Sequence, residues 1–450
     1  MKSHLNHYIV LSILLLLITS CTGVLDLEPE TSVSDKGVIS DKKTSLAALY
    51  GIYDNLQSSY TGTLTAFNLA SDNVISYTEP TIIVPDRNAE DNGGAPFSTF
   101  YVTINRANFI IKRVPDVVDN QFTDAERNEI IGEAYFLRAL AYFDLARFYG
   151  GVQLVTEPTE RIDTQKGIRR STLAETYAQV LADLDKAEEL ITNETDRSRA
   201  TKFAVYGLKA RLFLYTEQWE DAEEYASKSI ASNAFSLVTP YSSFYTGRLS
   251  QESIFEVVYT TVDASTYWRS WLSTEDGGNQ TYVPEASLIT DLRDPEKGGT
   301  RKAVLKESTA QPGLYTVQLY GKKDGTSSLF VLRIAEQYLI RAEARAKKAT
   351  PDLEGAAGDI RAVQSRAEVS SLFTATPSTT QSDVLLAIEN ERRLELAFEG
   401  HRFTDLVRTG RVADVLGGYN PLLRESYQWV FPIPASSVEK DPGLEQNPGF

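Results

Sequence analysis

The chain has 450 residues, 42% of them hydrophobic and 24% charged, the balance of a globular protein holding one large domain or about three smaller ones. A formal charge of −16 excludes the basic stripe that nucleic acid requires and works against electrostatic docking on anionic lipid. One cysteine excludes an intrachain disulfide or a cysteine-bound metal. Three histidines, of which only His401 follows the leader, exclude a histidine-based zinc site.

Residues 1–20 read as an export leader. Lys2 supplies positive charge, and Tyr8 to Ile18 (YIVLSILLLLI) is apolar but too short to span a bilayer. The stretch ends in Ile18-Thr19-Ser20-Cys21, which resembles a bacterial lipoprotein cleavage box. In that chemistry the Cys21 thiol takes a diacylglycerol, the chain is cut before it, and the new amino group is acylated. Several acyl chains on one residue anchor stably where one does not. The alternative is an ordinary signal peptide with an incidental cysteine. No later segment is apolar enough to cross a membrane, so the expectation is a lipid-tethered and otherwise soluble protein.

Polar, acidic residues 21–40 predict an extended tether. Residues 41–240 predict an N-terminal helical part. Leu46, Leu49, Tyr50 and Tyr53 place a first helix over 41–58, and the Gly, Pro, Asn and Asp of 60–97 predict a loop-rich insertion of a kind that often carries function. Thr123-x-x-Glu126 is a capping box opening a helix that stops at Gly150-Gly151, with Ile130, Ala134, Leu137, Ala141, Leu145 and Phe148 as its apolar stripe. Thr172-x-x-Glu175 opens another. Residues 201–232 predict two helices around Thr216-Glu217-Gln218-Trp219, with Ala210, Phe213, Trp219, Ala222 and Ala226 at tetratricopeptide spacing. Over 241–328 the helical period fades. Ser253–Thr260 reads as a strand and Asp276-Gly277-Gly278-Asn279 and Asp294-Pro295 as turns, which predicts an irregular ligand-binding subdomain. In 329–450 helices return over 332–348, 354–367 and 382–399, and a proline-rich tail from Trp429 closes the same domain.

Glu133–Thr156 (EAYFLRALAYFDLARFYGGVQLVT) resembles the first signature helix of the SusD/RagB family of Bacteroidetes outer-membrane lipoproteins, with Gln153 where Pro is usual. Val331–Arg345 (VLRIAEQYLIRAEAR) is similar to the second. Ala387–Arg411 (AIENERRLELAFEGHRFTDLVRTGR) and Phe431–Phe450 (FPIPASSVEKDPGLEQNPGF) resemble the last two. Leu25-Asp26-Leu27-Glu28-Pro29 also matches, and its acidic residues resemble surface-export signals of this group. The resemblance implies a mainly α fold, a superhelix of tetratricopeptide-like helical pairs with an irregular, loop-rich subdomain. It further implies a lipoprotein on the outer face of the outer membrane that captures glycan and hands it to a SusC-like TonB-dependent transporter, without catalysis and without a cofactor. Whether a calcium ion supports the loops stays open.

Sugar recognition needs a ring against a pyranose face and polar groups for the hydroxyls. Tyr267-Trp268-Arg269-Ser270-Trp271 offers both, so Tyr267, Trp268, Arg269 and Trp271 are candidate ligand contacts; a staple buried under the loop is the rival reading. Asp72, Asn73 and Tyr77, with Arg87, form a second candidate group, in a region that often lines the glycan site of this family; loop capping is its rival. Tyr282 is a further candidate. The charges of Glu391, Arg392, Glu395, Glu399, Arg402, Asp405 and Arg408 alternate in sign on helix-forming sequence, which favours an ion-paired scaffold over a carboxylate pair for glycoside hydrolysis. His401 reads as a hydrogen-bonded scaffold residue. Peptide uptake is the alternative within binding proteins, and a carboxylate glycosidase using Glu391, Glu395 or Glu399 is the alternative among enzymes.

Overall fold

The computed structural model describes residues 39–80, 96–161, 166–441 and 443–450. The predicted leader, Cys21 and most of the tether lie outside the described residues, as does Arg87. Helices account for 54% of the described residues.

Helix α1 (Lys42–Leu69) starts at an N-cap Asp41 that accepts from the Thr44 amide at 2.7 Å. It runs through Gly62 to Leu69, where the sequence predicts an end at Ser58 and a loop beyond Tyr60. Burial explains the extension. Tyr60, Leu64 and Phe67 all enter the core, while the Thr61 and Thr63 hydroxyls bond back to Gln57 and Ser59 carbonyls at 2.7 and 2.9 Å. Strand β1 (Val74–Ser76) follows. Helix α2 (Phe97–Arg113) was not foreseen; its Phe97, Phe100, Ile104, Ala107 and Ile110 stripe packs between α1 and helix α3 (Asp124–Tyr149).

The capping boxes of Thr123 and Thr172 both form, opening α3 and α4 (Leu173–Leu190). Helix α3 is more central than one apolar stripe implies, because residues 136–149 are buried on every face. Its polar groups are therefore paired. Arg138 forks onto Asp183 of α4 at 2.6 and 2.8 Å and donates to Asn108 of α2 at 2.6 Å. Close approach of α3 and α4 needs Gly132, where a Cβ would lie 2.8 Å from the Ile191 side chain.

The pair α5 (Lys202–Tyr215) and α6 (Trp219–Ala231) turns at Glu217, whose φ is 57°. Ala210, Phe213, Ala222 and Ala226 pack there with Trp219 at the edge, as the repeat spacing predicts. Short α7 (Ser243–Thr246) and strand β2 (Ser253–Val257) lead into the irregular middle. That region holds α8 (Trp268–Trp271), β3 (Tyr282–Pro284), α9 (Ala286–Arg293), β4 (Leu305–Glu307), β5 (Tyr315–Val317) and β6 (Leu329–Arg333). Three antiparallel pairs result: β1 with β3, β2 with β6, and β4 with β5.

Helix α10 (Ile334–Lys347) follows β6 directly and packs against α6, adding Ile340 and Ala344 to the alanine cluster. Helices α11 (Leu353–Arg366) and α12 (Gln381–Glu395) complete this layer, and α13 (Arg402–Arg408), α14 (Val412–Leu416) and α15 (Ala435–Val438) lead into the tail. The tail returns to α3. Phe431 donates its amide to the Phe148 carbonyl at 2.7 Å and packs its ring against Phe67, Phe148 and Phe403, so elements from both ends of the chain share one core.

Candidate ligand-binding surface

The middle region builds a layer of rings on short, tightly turned backbone. Tyr267 caps the entry to α8 by donating its amide to the Ser265 hydroxyl at 3.1 Å. Ser265 in turn donates its amide to Gly325, which holds a φ of 76° and sits so close that a Cβ would lie 2.6 Å from the Ser265 carbonyl oxygen. After α8 the predicted turn forms at Gly277 (φ 84°) and Gly278. Asn279 and Gln280 then donate back to the carbonyls of Arg269 and Leu272, which delivers the chain into β3. The side chain of Glu275 accepts from the Thr309 amide and hydroxyl and from the Ala310 amide, each at 2.9 Å, and Lys306 reaches Asp276 at 2.6 Å. These bonds clamp the turn to the β4–β5 hairpin.

Trp271 lies beneath this surface with 0% exposure, its ring 5.4–5.9 Å from those of Tyr267, Tyr282, Tyr320 and Phe398. This corrects the expectation that Trp271 contacts ligand, because an indole packed on all sides presents no face. Tyr267 is buried in the same cluster, its ring 5.1 Å from Tyr320 and its hydroxyl accepting from Thr65 at 3.4 Å, so it too belongs to the base. Trp268, one helical turn earlier, is half-buried, and the exposed Arg269 sets its guanidinium 5.1 Å from the Trp268 ring centroid. Tyr282 is half-buried against Trp271. Tyr77 extends β1 by donating its amide to Thr281 at 2.9 Å, keeps 43% of its surface exposed, and donates its hydroxyl to Gln311 at 3.2 Å. Tyr77, Tyr282, Trp268 and Arg269 thus each keep part of their surface exposed, while Trp271 and Tyr267 do not.

Asp72 and Asn73 take another role. Both are buried. Asp72 accepts a fork from Arg402 at 2.8 and 3.2 Å and lies 3.2 Å from Arg393, which also donates to the Asn73 side chain at 3.2 Å. The expectation of ligand contact is corrected here as well, since these groups are occupied in tying the end of α1 to α12 and α13. Gln311 and the Glu275 clamp were missed; isolated polar residues on turns carry no sequence pattern that would single them out. Among the described residues no group of three or more His, Cys, Asp or Glu is placed to hold a metal ion, and no helix is long and apolar enough to cross a membrane.

Comparison with known proteins decides the family. Residues 24–214 match a family model described as starch-binding and associating with the outer membrane, and residues 300–450 match the SusD family model. The chain belongs to the SusD/RagB family. SusD-like protein P38 of Formosa agariphila is 27% identical, over 99% of both chains. The starch-binding protein SusD of Bacteroides thetaiotaomicron is 25% identical over 73% of this chain and 74% of its own. A solved laminarin-binding SusD-like protein superposes with a TM-score of 0.74 at 23% identity, covering 91% of this chain and all of that one; at this identity the likeness speaks for the shared, mainly α SusD fold.

The charged stretch of this SusD-family chain is an ion-paired scaffold. Arg333 forks onto Glu399 at 2.6 and 2.8 Å and also reaches Glu252 and Glu395 at 2.5 and 3.0 Å. Arg301 holds Glu391 and Glu395, and Arg366 holds Glu252 and Glu395, all of them buried. Burial alone would raise Glu395, but Arg366, Arg301 and Arg333 outweigh it and hold it down at about 2. Burial pushes Glu399 up to about 7 against the pull of Arg333, and raises Glu391 despite Arg301. With three guanidiniums facing the four carboxylates of this cluster, one acid keeping its proton is the natural balance. His401 is buried, its side chain 3.8 Å from Glu336; burial, reinforced by Arg211 and Arg392, holds it neutral.

Proposed function

We propose that this protein is a lipid-anchored, outer-membrane binding protein that captures glycan at the cell surface and passes it to a SusC-like TonB-dependent transporter. The observation that carries the binding half is the set of partly exposed rings Tyr77, Trp268 and Tyr282, with Arg269 against Trp268, Gln311 bonded to Tyr77, and Trp271 buried behind Tyr282. Partly exposed rings offer flat faces to sugar C–H groups, and the neighbouring guanidinium and amide meet hydroxyls. A rigid base lowers the ordering cost of binding. Two relatives, one starch-binding and one laminarin-binding, favour a neutral glucan. Anchoring rests on Cys21 and the apolar stretch before it, and delivery on family membership. The binding role requires neither a cofactor nor catalysis.

Isothermal titration against starch oligosaccharides, laminarin and a peptide mixture tests the ligand. Heat is expected with a glucan and its loss in Trp268→Ala and Tyr77→Ala; heat with peptides alone overturns the glycan reading. Mild detergent extraction tests the partnership, since the protein is expected to co-purify with a large β-barrel transporter. Isolation free of any such companion refutes delivery.

A further inference from the structure

The tip of the β4–β5 hairpin, residues 308–314, is held more tightly than its surroundings require. Residues 309–313 are exposed, so burial does not oblige their backbone donors to find partners in the protein. Yet every amide of the tip that can donate has one. Ser308 donates to the Leu314 carbonyl at 2.8 Å, and Leu314 to the Gln311 carbonyl at 3.1 Å. Gln311 donates to the Ser308 hydroxyl at 3.0 Å and Gly313 to the Glu307 carboxylate at 2.8 Å, while Pro312 has no amide hydrogen. The two remaining amides, of Thr309 and Ala310, go to Glu275, 34 and 35 positions away.

Glu275 is itself exposed, on the single helical turn Thr274–Asp276. Its Oε1 accepts from the Thr309 amide, and its Oε2 from the Thr309 hydroxyl and the Ala310 amide. These donors hold the carboxyl below the ordinary carboxylate range, so the group is ionised and purely an acceptor. Both ends of the grip lead to ring residues. On one side, Glu275 follows α8, and the amides of Asn279 and Gln280 fold the turn back onto the Arg269 and Leu272 carbonyls at 2.6 and 3.0 Å. Trp268, Arg269 and Glu275 therefore belong to one tied segment. On the other side, Gln311 follows Ala310 directly and accepts the Tyr77 hydroxyl through Oε1, which leaves its exposed Nε2 as a donor.

We propose that Glu275 is a positioning residue of the ligand surface: by gripping Thr309 and Ala310 it fixes the Gln311 amide and the Tyr77 hydroxyl relative to the Trp268 segment, and so lowers the ordering cost of binding. The inference rests on the glycan reading above and adds to it a residue that acts on affinity without touching the sugar.

Glu275→Gln keeps the size of the side chain but sets an N–H donor against a donor, so one arm of the grip is lost. Hydrogen-exchange mass spectrometry of the full chain without ligand, read over the peptide 305–316, is expected to show exchange faster on the order of tenfold. Titration with starch oligosaccharides and laminarin is expected to show affinity weaker on the order of tenfold than in the parent. Gln311→Ala is expected to weaken binding by itself. Combining it with Glu275→Gln is expected to add less than about twofold, because Glu275 acts through Gln311, whereas an unrelated structural defect adds in full. If Glu275→Gln fails to fold, Thr309→Val, which withdraws one donor from the hairpin side, replaces it with the same expected directions. Unchanged exchange, parent-like glucan affinity, or additive losses in the double variant overturn the positioning role. Those results leave the glycan reading standing so long as Trp268→Ala still loses its heat; no heat from the parent with either glucan overturns both.

Discussion

Trp268 and Trp271 sit three positions apart in one short helix, and the structure gives them opposite consequences. Trp271→Ala removes a fully buried indole from a cluster in which four rings lie within 5.4–5.9 Å. Trp→Ala in a core costs about 3–5 kcal/mol through lost transfer energy and the void left behind. Ring pairing adds about 0.5–1.5 kcal/mol per contact, though not additively. A loss of about 4 kcal/mol is therefore expected, a large part of a typical domain's stability of roughly 5–15 kcal/mol. Trp268 is half-buried and stacks on Arg269, so Trp268→Ala should cost about 1 kcal/mol or less in stability. Its loss should fall on ligand affinity, on the order of tenfold, or about 1.4 kcal/mol. Urea unfolding followed by far-UV circular dichroism reads the first quantity without relying on tryptophan emission, and glucan titration reads the second. If Trp271→Ala unfolds within about 1 kcal/mol of the parent, no more than the average point mutation costs, the claim that this ring is structural fails. If Trp268→Ala binds glucan as the parent does, the ring surface is not the site.

Because the folded chain holds the Glu399 proton up to about pH 7 against an ordinary value of 4.5, the stability that Glu399 contributes is full below 4.5 and is lost as pH rises to 7. Set against the parent in urea midpoints taken from pH 5 to 8, Glu399→Gln should lack that loss; what slope remains combines Glu133, which burial likewise raises to about 7, and Glu391 with the opposite slope of the buried neutral His401. Arg366→Met takes one of two guanidiniums from Glu252 and one of three from Glu395 and should cost about 3 kcal/mol by the same denaturation assay, the low end for a broken buried pair because Arg333 still holds both. Gly151→Ala puts a Cβ 1.9 Å from the Ser171 carbonyl oxygen, so the backbone must shift; a loss of about 1–3 kcal/mol is expected, and an unchanged midpoint would refute the close approach.

Local signals carried far where they depended on backbone hydrogen bonds close in sequence. Thr123 with Glu126 and Thr172 with Glu175 fix helix starts through bonds spanning three residues, and both could be read directly. The alanine and aromatic spacing of α5 and α6 was legible because small residues at repeat positions mean close helix approach. Legibility failed where burial decided. Gly62 and three threonines make residues 60–69 look like loop, yet Tyr60, Leu64 and Phe67 find core partners from elements as distant as Phe431 and outweigh the weak local propensity. Tyr267 and Trp271 look like ligand rings in a loop-rich sequence, but periodicity across four residues cannot tell which face of so short a helix is covered. Asp72 and Asn73 likewise pair with arginines more than 300 positions away, a contact no local pattern announces.

One turn ties the ring surface to the arginine network. Phe398 has a φ of 70°, unusual for a residue with a side chain, and the strain is offset by what its carbonyl receives: the Asn68 amide at 2.8 Å and the Tyr320 hydroxyl at 3.0 Å. Its ring packs on Trp271, while the next residue, Glu399, is forked by Arg333. Gly400, also at positive φ, donates its amide back to Asn68 at 3.3 Å. Residues 398–400 therefore set the depth of the buried ring layer from one side while the guanidinium network holds them from the other. On the glycan reading proposed above, the stiffness behind Trp268 and Tyr282 originates in charges that would not meet the ligand.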